Sequence, residues 1–105
     1  MRSMRVATYD IKSGTSFDEI LSQAKTGMLP LFQQSQGFVS YGVAQIDKDA
    51  FVSLSTWDTR AQADAATEKA ADWVKTNGRD RFTLRHSYVG DLALDDTRAP
   101  ATVAR

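Results

Sequence analysis

Apolar and polar side chains alternate in four stretches of the chain and recur every three to four residues in two others. Residues 4–12, MRVATYDIK, are rich in β-branched and aromatic residues and predict a strand that stops at Ser13-Gly14-Thr15. A helix follows over 16–25, with Phe17, Ile20, Leu21 and Ala24 on one stripe. Ser16 and Glu19 have the spacing of a capping box. Gly27 and Pro30 are expected to interrupt that helix, with Pro30 in the first turn of a short second piece. Residues 37–46 and 50–57 are two strand-like runs separated by Asp47-Lys48-Asp49, a hairpin spacing. Thr59 and Gln62 form a second capping-box pair, opening a helix to about residue 76 whose apolar stripe is Ala63, Ala66, Ala70, Trp73 and Val74. Asn77-Gly78 closes it, and residues 81–94 predict a last strand, broken near Gly90.

The order is β-α-β-β-α-β. With right-handed crossovers this gives an α+β fold of the ferredoxin-like kind: a four-stranded antiparallel sheet with both helices on one face. Along 51–57, Phe51, Ser53, Ser55 and Trp57 share one side of the strand, and Val52, Leu54 and Thr56 the other. Along the strand before it, Phe38, Ala44 and Ile46 are expected to oppose Val39, Tyr41 and Val43. Neither face is polar, so the face without helices would leave a wide apolar patch in water. The expected partner is a second copy, packed sheet to sheet as a homodimer.

The chain has 105 residues, enough for one domain, read as 1–94 with a flexible tail over 95–105. Thirteen Lys and Arg balance 13 Asp and Glu, so no net charge favours nucleic acid or an anionic membrane. There is no cysteine, which removes disulfides, thiolate catalysis and Cys-based metal sites. No apolar run is long enough to span a bilayer, and the opening MRSMRVATYD lacks the apolar stretch of a secretory signal. A cytoplasmic location is the expectation. Phosphate loops, nucleophile elbows and His/Cys metal spacings are also missing, so no metal is expected.

The GFVSYGV entry to the second strand and the STWDTRAQADA junction between third strand and second helix carry a resemblance. Together with the element order, they resemble the antibiotic biosynthesis monooxygenase-like family of the dimeric α+β barrel superfamily, over roughly residues 4–94. The resemblance implies two sheets from two subunits closing into a barrel. It also implies a pocket in each subunit between sheet and helices, with Trp57 on its wall. Activities in the superfamily include cofactor-free oxygenation of polycyclic phenols, haem degradation and quinol oxidation. Where the phenol-oxidising type commonly carries an asparagine four residues before the tryptophan, this chain has Ser53. Where the haem-degrading type carries its axial histidine, this chain has Thr67, and Asn77 is its sole asparagine. The haem-degrading triad is therefore not matched.

Trp57 admits two readings, a core plug at the strand–helix junction or an aromatic wall offering its indole N–H to a flat ligand. The pocket-wall reading is carried forward. Ser53 and Ser55 share its strand face and could donate to a ligand, as could Tyr41, although close packing is the safer reading of the small residues and core or interface packing of Tyr41. His86, the sole histidine, is the candidate general base, and it is expected to be partly buried beside Phe82, Leu84 and Tyr88. Arg85, on the opposite strand face, is expected to pair at the dimer surface. The functional expectation is a cofactor-free monooxygenase acting on a small aromatic or phenolic molecule. The alternative is a non-catalytic binding or sensor dimer on the same fold.

Overall fold

The structure, a computed structural model, describes residues 1–96. Of the tail expected over 95–105, residues 97–105 lie outside the described part, while Asp95 sits 3.6 Å from Arg2. Four strands, β1 (Ser3–Ile11), β2 (Phe38–Asp47), β3 (Ala50–Trp57) and β4 (Phe82–Asp91), form one antiparallel sheet in the order β2-β3-β1-β4. This is the ferredoxin-like arrangement. β4 runs unbroken through Gly90, against the expected break.

Between β1 and β2 the chain stays helical without a gap: α1 (Phe17–Gln23), a π-helical turn (Ala24–Met28) and α2 (Leu29–Gln33). Pro30 has no amide hydrogen, and its ring would clash with the Thr26 carbonyl of a regular helix. The π turn is the remedy. It widens the helix by one residue, so that the Leu29 amide donates back to the Ala24 carbonyl. Ser16 caps α1 by accepting from the Glu19 amide at 3.2 Å. The Glu19 carboxylate does not complete the expected box; it lies 3.9 Å from Arg81.

The second long helix, α3 (Arg60–Asn77), opens with a complete capping box between Thr59 and Gln62. Its Ala63, Ala66 and Ala70 are fully buried against Trp57, Phe32 and Met28. A second cluster gathers Ile20 of α1 with Ala7, Tyr9, Phe51 and Phe82 of the sheet. Both clusters lie on the same sheet face, so all the helices cover one side.

Two irregularities of register decide which side chains reach that side. Pairing between β2 and β3 slips between Phe38 and Ser40, which places Phe38 opposite Trp57 and leaves Tyr41 opposite Ser55 and Val43 opposite Ser53. Phe38 therefore shares the helix face with Tyr41 and Val43, correcting the strict alternation expected from sequence. Pairing between β1 and β4 slips between Thr8 and Tyr9: Leu84 pairs with Tyr9, His86 with Thr8. The bulge inserts Arg85 and reverses the alternation along β4.

The opposite sheet face presents Val6, Val52, Leu54, Thr56 and Tyr88, and no element among the described residues lies over them; Leu54 and Tyr88 are 39% and 59% exposed. Among the described residues, no helix is long and apolar enough to cross a membrane.

Candidate functional site

A narrow cleft opens between sheet and helices at the centre of the covered face. Tyr9 of β1, Tyr41 and Val43 of β2, and Phe51 and Ser53 of β3 form its floor. Ala24 and Met28 of the π turn and Trp73 of α3 form its roof. The Tyr9 and Phe51 rings stack at 4.8 Å, and Phe82 meets Tyr9 edge-on at 5.1 Å, so the floor is rigid aromatic surface. The free volume is about 20 Å³, room for a water molecule or so.

What narrows the cleft is Trp73. Its indole lies over Gly27 so closely that a β-carbon on that glycine would stand 2.7 Å from the ring. Gly27 is thus the seat of the tryptophan, and it sits in the turn that Pro30 forces into π geometry.

The polar groups of the cleft are hydroxyls. Burial raises the Tyr41 pKa, the neighbouring Tyr9 adds to this, and the Ser53 hydroxyl and the Arg5 charge oppose it. Desolvation is the largest of these effects, so Tyr41 is held as a neutral phenol able to donate a hydrogen bond. No carboxylate and no histidine lines the cleft. Among the described residues no cluster of three or more His, Asp or Glu side chains could hold a metal.

Of the residues singled out from sequence, the structure brings Ser53 and Tyr41 together in this cleft. Trp57 lies outside it. It is completely buried, its Nε1 donates to Ser55 Oγ at 2.9 Å, and the rings of Phe32 and Phe38 meet it edge-on at 5.3 and 5.6 Å. In this structure Trp57 packs as a core plug, with aromatic rings and the α3 alanines against it. Ser55 is sealed in with it as acceptor for the indole.

His86 is not in the cleft either. The bulge turns it to the uncovered sheet face, where it is exposed and stacks on Tyr88 at 5.9 Å. Arg85 pairs with Asp10 of its own chain at 3.5 Å. Sequence reasoning missed Trp73 as the roof, having assigned it to packing alone. The available signal was Gly27, a glycine inside a helical pattern with no turn to justify it.

No family model and no curated protein matches the chain. Solved structures do. SnoaB, a cofactor-independent oxygenase from Streptomyces nogalater, is 14% identical, with 95% of this chain and 96% of that one covered and a TM-score of 0.66. A protein from Chloroflexus aurantiacus, provisionally assigned as an antibiotic biosynthesis monooxygenase, is 19% identical over 92% of this chain and 98% of its own, with a TM-score of 0.64. A dimeric ferredoxin-like protein from an uncultured marine organism is 10% identical, covers 93% of this chain and all of its own (100%), and gives a TM-score of 0.70. At such identities the likeness speaks for the backbone alone: this chain has the ferredoxin-like α+β fold found in proteins of the antibiotic biosynthesis monooxygenase kind.

Proposed function

We propose that this protein is a cofactor-independent oxygenase of a small, electron-rich phenol, working as a homodimer. The observation that carries the reading is the aromatic cleft with its neutral Tyr41 phenol and Ser53 hydroxyl at the floor, on a fold shared with an oxygenase of that type. A flat ring would stack against Tyr9 and Phe51 once Trp73 swings off Gly27.

Because no carboxylate or histidine lines the cleft, the phenol enters already ionised, or ionises as it binds, with its proton passing to solvent. Tyr41 and Ser53 donate hydrogen bonds to the phenolate oxygen, and the nearby Arg5 charge favours the anion. The ring carbon para or ortho to that oxygen supplies the electrons to O2, and a C–O bond forms. Where that carbon carries a hydrogen, the peroxide takes up a proton from solvent, the C–H proton is lost as the O–O bond breaks, and water leaves with a carbonyl formed on the ring. One O2 yields one oxygen in the product and one in water, with the substrate as the reductant. His86 takes no part in this scheme.

Oxygen uptake by the purified chain with dihydroxynaphthalenes and anthrones tests the reading. Turnover is expected to rise with pH through the ionisation of the substrate. Tyr41→Phe is expected to lower kcat/KM about 100-fold, the scale of one lost oxyanion donor, and His86→Gln to leave it unchanged. Loss of activity in His86→Gln would overturn the assignment of the site. A second reading rests on the same absence of an acid–base group: a cleft that binds phenols without turning them over, shown by saturable binding with no oxygen consumed across the panel.

A further inference from the structure

Arg5 stands out among the arginines of the described residues. Arg2, Arg60, Arg81 and Arg85 each face a carboxylate at 3.5–3.9 Å and all are well exposed. Arg5 is 3% exposed, faces no carboxylate, and its buried Nε has no hydrogen-bond partner. It occupies an inward position of β1, in step with Ala7 and Tyr9, where an apolar residue would pack without cost. A guanidinium is a permanent cation, and holding its Nε–H buried without an acceptor is unfavourable. An anion from outside the chain would supply the missing partner.

The space for that occupant is present. Arg5 lines a second cleft of about 210 Å³ between α3 and the β1–β4 pair, on the other side of Tyr9 and Val74 from the phenol cleft. Lys75, near the end of α3, contributes a second cation to this cleft, and no carboxylate lines it. Ser87 and Tyr9 supply hydroxyls; the Thr67 hydroxyl is already committed to the Ala63 carbonyl at 3.1 Å. The remaining wall is apolar: Ala71, Val74 and Leu84, the last half-exposed at 50%. A lone inorganic ion would satisfy the charge and leave that wall wet. A molecule with one anionic end and a small apolar body satisfies both.

We propose that this cleft binds a small carboxylate carrying an apolar body, its carboxylate held by the guanidinium of Arg5 and flanked by Lys75. A carboxylate is planar and matches the guanidinium fork with two parallel hydrogen bonds. The binding event supplies the buried charge with its partner and covers Leu84 in one step.

The test is direct titration of the full-length chain with benzoate and with hexanoate, followed by calorimetry and by thermal unfolding; oxygen turnover plays no part in it. Benzamide, of the same shape without the charge, and inorganic phosphate, charged without the apolar body, are the controls. Benzoate or hexanoate is expected to raise Tm and to bind at least ~10-fold more tightly than either control, the scale set by a charge-assisted hydrogen bond. Arg5→Met keeps the bulk and removes the charge, and is expected to cost at least ~10-fold in affinity. Lys75→Gln, at an exposed position that the fold does not depend on, is expected to weaken binding several-fold and covers the case in which Arg5→Met fails to fold. Failure of both carboxylates to bind at millimolar concentration, equal binding of benzamide, tighter binding of phosphate, or unchanged affinity in Lys75→Gln would each overturn the proposal.

Discussion

Two tryptophans exchange the roles that their sequence contexts suggest. Trp57, at the strand end that the resemblance marks as a pocket wall, is fully buried with its N–H satisfied by Ser55. Trp73, in an alanine-rich helix, roofs the cleft. Trp57→Ala is therefore expected to lose about 3–5 kcal/mol, a large share of a small domain's stability. Trp57→Phe also removes the indole donor and leaves Ser55 buried without its partner, so chemical denaturation should show it clearly less stable than Trp73→Phe. Ligand affinity should respond in the opposite order, Trp73→Phe changing it and Trp57→Phe leaving it near wild type. Tyr41 gives a pH signature. Its folded-state pKa lies above its unfolded value near 10, so its neutral form favours the folded state. That contribution is complete below pH ~10 and is lost as pH rises from there through the folded pKa, since the unfolded chain releases its proton first. Unfolding midpoints measured between neutral pH and pH ~11 should fall less steeply for Tyr41→Phe than for wild type.

At the scale of elements, the helical connection between β1 and β2 shows what one proline does when the chain around it is held on both sides. An interruption between Gly27 and Pro30 is legible from the sequence. The form it takes is not, because a break, a kink and a π turn all answer a missing amide. Packing selects the π turn, since Met28 and Phe32 both reach the core cluster beneath α3 only if the helix continues. The same turn places Gly27 under Trp73, and Gly27→Ala would drive a methyl group into the indole. The expected result is a loss of about 1–3 kcal/mol, as for an overpacked core, together with a shift in tryptophan emission as Trp73 moves outward. The capping box of α3 is a local device read correctly from Thr59 and Gln62, and Thr59→Ala should cost about 1 kcal/mol in thermal unfolding.

For the whole molecule, the helices use up one face of the sheet and leave the other to find its own cover. Val6, Val52, Leu54 and Tyr88 make that face apolar, and in the proposed homodimer a second copy would cover it. Sedimentation at micromolar concentration is expected to give about twice the 11.6 kDa chain mass. A clean monomer would remove the barrel. Leu54→Lys puts a charge at the centre of the face and should shift the equilibrium toward monomer while the subunit stays folded. His86 and Tyr88 lie on this open face, so their stacked pair sits apart from the cleft under the helices.

The element order, the antiparallel sheet and the buried stripe of α3 were settled by periodicity alone, because a strand exposes every second residue and a helix every third or fourth whatever surrounds them. The shared face of Ser53, Ser55 and Trp57 follows from the same count. Tertiary structure decided the rest. A bulge is one unpaired residue, and nothing local distinguishes Arg85 from its neighbours; yet that residue moves His86 from the covered face to the open one. Whether Trp57 or Trp73 borders empty space depends on side chains distant in the chain, Phe32 and Phe38 for the first and Gly27 for the second. And the missing acceptor for Arg5 Nε is visible only in the fold, since among the described residues none of the acidic side chains pairs with this arginine.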